Sequence, residues 1–148
     1  QAMACYGCNA YQDTNPYRII CNMYHLWYNT SMDKPPVKTI TVKFYQSEAA
    51  NEPVKTWLRG LSKEDRRTIG EDIKTTEIGW PLGMPLVRKM CEKLWEVRSD
   101  ISDARVARVL FTLKGKTMYL LHGFVKKAQQ TPKSDLDLGK KRRDNILN

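Results

Sequence analysis

His122, Phe124 and Lys126 stand two residues apart in the run Leu120-Leu121-His122-Gly123-Phe124-Val125-Lys126-Lys127. On an extended strand they project from one face, with Val125 and Lys127 on the other. An imidazole, an aromatic ring and an ammonium on one surface suit a polynucleotide: the ring stacks a base, the ammonium holds a phosphate, and the imidazole exchanges protons near neutral pH. Arg98, Arg105 and Arg108 lie on or beside neighbouring strand-like runs and carry guanidinium forks that match phosphate oxygens. Arg105 and Arg108 have opposite parity, so a regular strand cannot present both on one face. Lys93, heading the first of these runs, and Lys127, ending the last, extend the positive surface.

Such a set has a definite chemistry open to it. Metal-independent RNA cleavage uses the adjacent 2′-hydroxyl as nucleophile and needs a proton acceptor, cations for the charged phosphorane and a donor for the departing 5′-oxygen. His122 is the candidate for proton transfer; Arg98, Arg108 and Lys126 are the candidates for electrostatic stabilisation, with Arg105, Phe124, Lys127 and Lys93 as further RNA contacts. No paired acidic cluster for two-metal chemistry is evident, because Asp100 and Asp103 fall in what reads as a turn, so neither metal nor cofactor is expected. A blander reading stays open beside this one. A lone histidine on a strand is often structural, and basic strand residues often only solubilise an edge. Cys91 reads as a small buried hydrophobe, and Trp57, Trp80 and Trp95 as core or rim packing.

The elements that must position these groups follow from periodicity. Val37 to Tyr45 alternates β-branched or aromatic residues with polar ones, a half-buried strand. Ser47 then caps a helix with Glu48 in its first turn and a stripe of Val54, Trp57, Leu58 and Leu61, which Gly60 ends. Ser62 with Asp65 resembles a capping box for a second helix that buries Ile69, Ile73 and Ile78 and leaves Arg66, Arg67 and Lys74 outside. Gly79-Trp80-Pro81-Leu82-Gly83 opens a loop. Strands follow at Lys93 to Arg98, Arg105 to Leu113 and Met118 to Lys127, the last two joined by the tight turn Lys114-Gly115-Lys116. Thr131 before Pro132 starts a terminal helix, with Lys140, Lys141, Arg142 and Arg143 on a solvated face. The expected class is α+β in the order β-α-α-β-β-β-α, two helices covering one face of a small mixed sheet and the other face or its rim left for binding.

Composition sets the outer limits. Lys and Arg total 25 against 16 Asp and Glu in 148 residues, a net charge of +9, which points to nucleic acid, an acidic partner or an anionic surface. No apolar run approaches the ~20 residues that span a bilayer, and a secretory signal pattern is missing, so a cytoplasmic protein is expected. Arg18 and Asp13 are the only charged residues among the first 31, so the remainder keeps the whole excess. Residues 1 to 36 are therefore read as an atypical, weakly ordered extension, compatible with translation from upstream of a start at Met32, and residues 37 to 148 as the functional domain. Within the extension, Cys5, Cys8, Cys21 and His25 have the spacing of a small zinc finger, but Gln12 and Arg18 stand near where such a finger places its aromatic and its leucine.

The stretches Lys93 to Arg98, Ala104 to Phe111 and Leu120 to Lys127, closed by Gln130-Thr131-Pro132-Lys133, resemble the phage-derived, HigB-like branch of the RelE superfamily of toxins, over about Val37 to Leu147. The resemblance implies a RelE-like antiparallel or mixed sheet flanked by helices. It also implies the toxin of a type II toxin-antitoxin pair: an endoribonuclease that cleaves mRNA on the translating ribosome, inhibits translation, and is silenced by a cognate antitoxin, often a helix-turn-helix DNA-binding protein. It places Arg98, Arg108, His122, Lys126 and Lys127 at RNA-binding or catalytic positions, although a C-terminal tyrosine of some relatives has no counterpart after Lys127. The alternative expectation is a non-catalytic RNA- or ribosome-binding module that blocks translation by occupancy.

Overall fold

A computed structural model describes residues 39–126 and 131–148. The expected division at residue 36, the zinc-finger spacing of Cys5 to His25, and Lys127 all lie outside these described residues. The elements run β1 (Thr41–Phe44), α1 (Pro53–Arg59), α2 (Lys63–Gly79), β2 (Val87–Cys91), β3 (Leu94–Ile101), β4 (Arg105–Lys114), β5 (Thr117–Lys126) and α3 (Lys133–Leu147). This is an α+β architecture whose five strands form one mixed sheet in the order β1-β5-β4-β3-β2. β1 pairs parallel with β5, and the other neighbours are antiparallel. Gly115, at φ +61°, takes the first position of the two-residue β4–β5 turn, where a hairpin favours glycine.

Parity along β4 and β5 shows how the layers sit. Val109 pairs with Gly123 and Leu110 with His122, so the two rows point to opposite faces. On the first face the Trp57 ring of α1 lies so close to Gly123 that a Cβ there would stand 2.2 Å from Cε3. Residue 123 can therefore only be glycine while α1 keeps this position. On the second face Gly139 of α3 seats on Leu110, beside a core of Tyr45, Leu94, Leu110, Leu121 and Phe124. Leu121 joins that core because β5 carries a bulge: Leu110 pairs with His122 but Phe111 with Leu120.

Several expectations need correction. The order has a fourth meander strand, β2, which the pattern missed because Val87-Arg88-Lys89-Met90-Cys91 is a short edge strand following Pro81, Gly83 and Pro85. Its turn takes Lys93 out of β3, in the left-handed region at φ +53°. α1 begins at Pro53 instead of at Ser47, since proline is tolerated only in the first turn of a helix. Ser47 instead closes a turn, its Oγ accepting from the Asn51 N–H at 3.2 Å. Ser62 does cap α2, accepting from the Asp65 N–H at 3.2 Å, but the Asp65 carboxylate turns away to accept from the Ser102 N–H at 3.0 Å. Asp100 lies within β3, and only Asp103 is in the turn, at φ +59°.

The C-terminal helix departs furthest from its expected role. Pro132 is its N-cap, and α3 packs on the second sheet face, one of the two surfaces, that face or its rim, expected to be left for binding. Arg142 and Arg143 do not form a solvated face. The Arg142 guanidinium donates to the Leu121 carbonyl at 2.8 Å and lies over the Tyr45 ring at 5.5 Å, while Arg143 donates to the Glu92 carbonyl at 2.8 Å. These bonds satisfy carbonyls that the sheet leaves unpaired, so part of the helix's positive charge is spent on docking.

Candidate nucleic-acid interface

Strand register gathers the basic residues on one face. Arg98 pairs directly with Arg108, and Arg108 with Phe124, so the three stand in one row across β3, β4 and β5. The next row holds Arg88, Glu96, Leu110 and His122. Two like charges opposite each other on a sheet repel, so this arrangement requires a counter-charge or an anionic ligand. Glu96 supplies the first: it is 0% exposed and accepts a hydrogen bond from Nη1 of Arg108, itself 4% exposed. Its second oxygen accepts from the Thr131 hydroxyl at 3.3 Å.

One anion does not satisfy the cluster. The Nε atoms of both Arg98 and Arg108 are buried and have no hydrogen-bond partner among the described residues. An unpartnered buried donor costs about 1–3 kcal/mol, more when charged, so both Nε–H groups are donors open to an acceptor. Lys126 registers the same crowding. Its ammonium is held below the ordinary lysine range by desolvation first, then by the charges of Arg108, Arg98 and Arg88, with Glu96 opposing. Among the described residues the cluster is thus Arg88, Arg98, Arg108 and Lys126 near the buried Glu96 carboxylate, a pattern suited to phosphate oxygens.

His122 and Phe124 share a face as parity predicts, their rings stacked at a centroid distance of 5.5 Å and an interplanar angle of 23°. His122 Nε2 meets Asp135 Oδ1 of α3 at 2.7 Å, with 18% of the histidine side chain exposed. Phe124 lies between His122 and Lys126 on the strand, and four residues of extended chain separate those two Cα atoms by about 13 Å. Phe124 is only 9% exposed and belongs to the core under α3, which corrects its expected role as a base-stacking platform.

The remaining expected contacts lie elsewhere. Arg105 points to the α2 side and is occupied, donating from Nη2 to Asp65 Oδ2 at 2.7 Å and from Nε to the Ser102 carbonyl at 3.1 Å. It ties α2 to the β3–β4 turn, on the opposite side of the sheet from Arg108, as parity predicts. Lys93 sits in the β2–β3 turn, where its carbonyl accepts from Thr112 Oγ1 at 2.6 Å, at the far end of β3 from Arg98. Among the described residues no His, Cys, Asp and Glu side chains cluster in threes as a metal ion would require.

Four residues of the site escaped the sequence reading: Arg88, Glu96, Thr131 and Asp135. Arg88 belongs to the strand that was read as loop. Glu96 shares a face with Leu94 and Arg98, and residue type and period alone do not reveal that a carboxylate there is buried. Thr131 and Asp135 meet partners 35 and 13 residues away, which no local period encodes.

Residues 56–144, from within α1 to near the end of α3, match the family model described as Phage derived protein Gp49-like. No curated protein matches the chain.

Proposed function

The chain belongs to the phage-derived Gp49-like family, within the broad group of RelE/HigB-like toxins, and from that premise we propose that it is the toxin of a type II toxin-antitoxin pair, of the HigB-like branch, which cleaves mRNA on the translating ribosome. The observation that carries this reading is the facing pair of buried, unpartnered Nε atoms on Arg98 and Arg108. They supply fixed donors for a phosphodiester whose 2′-hydroxyl attacks the adjacent phosphorus. The P–O2′ bond forms, the P–O5′ bond breaks, and the products are a 2′,3′-cyclic phosphate and a 5′-hydroxyl end. Lys126 adds positive charge to the phosphorane. His122, oriented by Asp135, is the proposed proton-transfer group. The partners in this reading are ribosome-bound mRNA and a cognate antitoxin of helix-turn-helix type.

One observation favours a second reading. His122 is held by Asp135 behind Phe124 and away from Lys126, which suits a module that occupies ribosomal RNA without cutting. Mapping transcript 5′ ends after induction separates the two. Cleavage should create new 5′-hydroxyl ends that vanish with Arg98→Ala. Growth arrest with no new ends would sink the nuclease reading and leave occupancy. Among the described residues no helix is long and apolar enough to cross a membrane.

A further inference from the structure

We propose that Glu96 is the positioning residue of this site: its buried carboxylate holds the tip of the Arg108 guanidinium so that the Nε edge faces an incoming phosphate. The inference rests on reading the cluster as a phosphodiester-binding surface and adds the group that arranges it.

Glu96 is paradoxical on the simpler accounts. If the rim only had to attract a polyanion, a carboxylate among Arg88, Arg98, Arg108 and Lys126 would weaken it by one charge. If the residue only had to stabilise the fold, a buried ion pair is a poor device, since a well-packed apolar pair does as well or better. Orientation is the gain that remains. A guanidinium is a rigid planar fork, and its Nε–H lies on the side away from Nη1. With Nη1 bound to Glu96 Oε1, the plane is fixed and the buried Nε is left to find an acceptor elsewhere. The carboxylate is itself fixed, because Thr131 donates to its other oxygen from the segment that enters α3. Arg98, directly opposite, leaves its own buried Nε unpartnered, so two preset donors can grip one phosphate.

The test is Glu96→Gln, which keeps the shape and removes the charge, made in the full chain and checked for folding by circular dichroism. The probes are an RNA oligonucleotide with 2′-deoxy substitution, which cannot be cleaved through its own hydroxyl, and inorganic phosphate followed by NMR of the arginine Nε–H signals. Charge alone predicts tighter binding by the variant. Positioning predicts binding about tenfold weaker, the loss of one charge-assisted hydrogen bond, with an Arg108 Nε–H signal that no longer responds to phosphate. Unchanged or tighter binding overturns the inference, as does a native protein whose Nε–H signals ignore both probes. Should Glu96→Gln fail to fold, Glu96→Asp keeps the charge but withdraws it by one methylene; weaker binding then supports the inference and unchanged binding overturns it. A native protein that binds both probes yet creates no new 5′ ends in cells refutes the nuclease reading and leaves the role of Glu96 standing.

Discussion

Arg98 and Arg108 face each other on adjacent strands, yet removing them should have unequal consequences for stability. Arg108→Ala strands the buried Glu96 carboxylate, and breaking a buried pair from one side costs about 3–5 kcal/mol. Arg98 has no such partner for its Nε, and its removal relieves the like-charge contact with Arg108. Arg98→Ala should therefore melt within a few degrees of the native protein while single-turnover RNA cleavage falls about 100-fold, the usual cost of one preset donor to a developing charge. An Arg98→Ala protein that cleaves at the native rate would remove Arg98 from the site. These arginines, Lys126 and the shared face of His122 and Phe124 were legible from residue type and period two alone, as was the separation of Arg105 from Arg108. What stayed hidden was burial. Parity says which side chains share a face and nothing about whether a distant helix covers that face, so Phe124 read as a base-stacking ring although it is buried.

The packing of α2 on β3 carries a signature of its own at the scale of elements. Asp72 of α2 is pushed from 3.8 up to about 6, by burial above all, with the Asp100 and Glu71 charges adding and the Ser99 hydroxyl opposing. A carboxyl raised in the folded state holds its proton where the unfolded chain has lost it, so stability declines as pH climbs from about 4 to about 6 and is level beyond. Asp72→Asn removes that slope. The variant should match the native protein near pH 4 and exceed it by about 2 kcal/mol at pH 7, read from denaturant melts at both values. A gain that is equal at the two pH values would show that ionisation of Asp72 is not the cause. The buried stripe of α2, Ile69 and Ile73, was plain from its spacing, and so was the Ser62 cap, because helix signals are local. β2 was not plain: a five-residue edge strand offers too few alternations, and what places it is its register with β3.

For the whole molecule the proposed RNA binding turns on whether the polyanion is met by the excess of nine positive charges or by the few at the rim. Arg66, Arg67 and Lys74 are exposed on the outer face of α2, and they are as available to a diffuse polyanion as the rim is. Salt dependence tells the two apart, because each phosphate neutralised on a single strand contributes about −0.7 to the slope of log K against log salt. A rim of four cations offset by Glu96 neutralises about three phosphates, for a slope near −2, whereas the full excess would give one near −6. Anisotropy titrations of an uncleavable oligonucleotide over a range of salt should therefore give the shallower value. Arg88→Ala should reduce it by about 0.7, and because Arg88 is exposed its loss should leave the melting temperature unchanged. Arg66→Ala combined with Lys74→Ala removes twice the charge and should leave the slope where it was. If the slope follows the α2 pair and ignores Arg88, the protein holds RNA through its general charge, and the rim is not where recognition occurs.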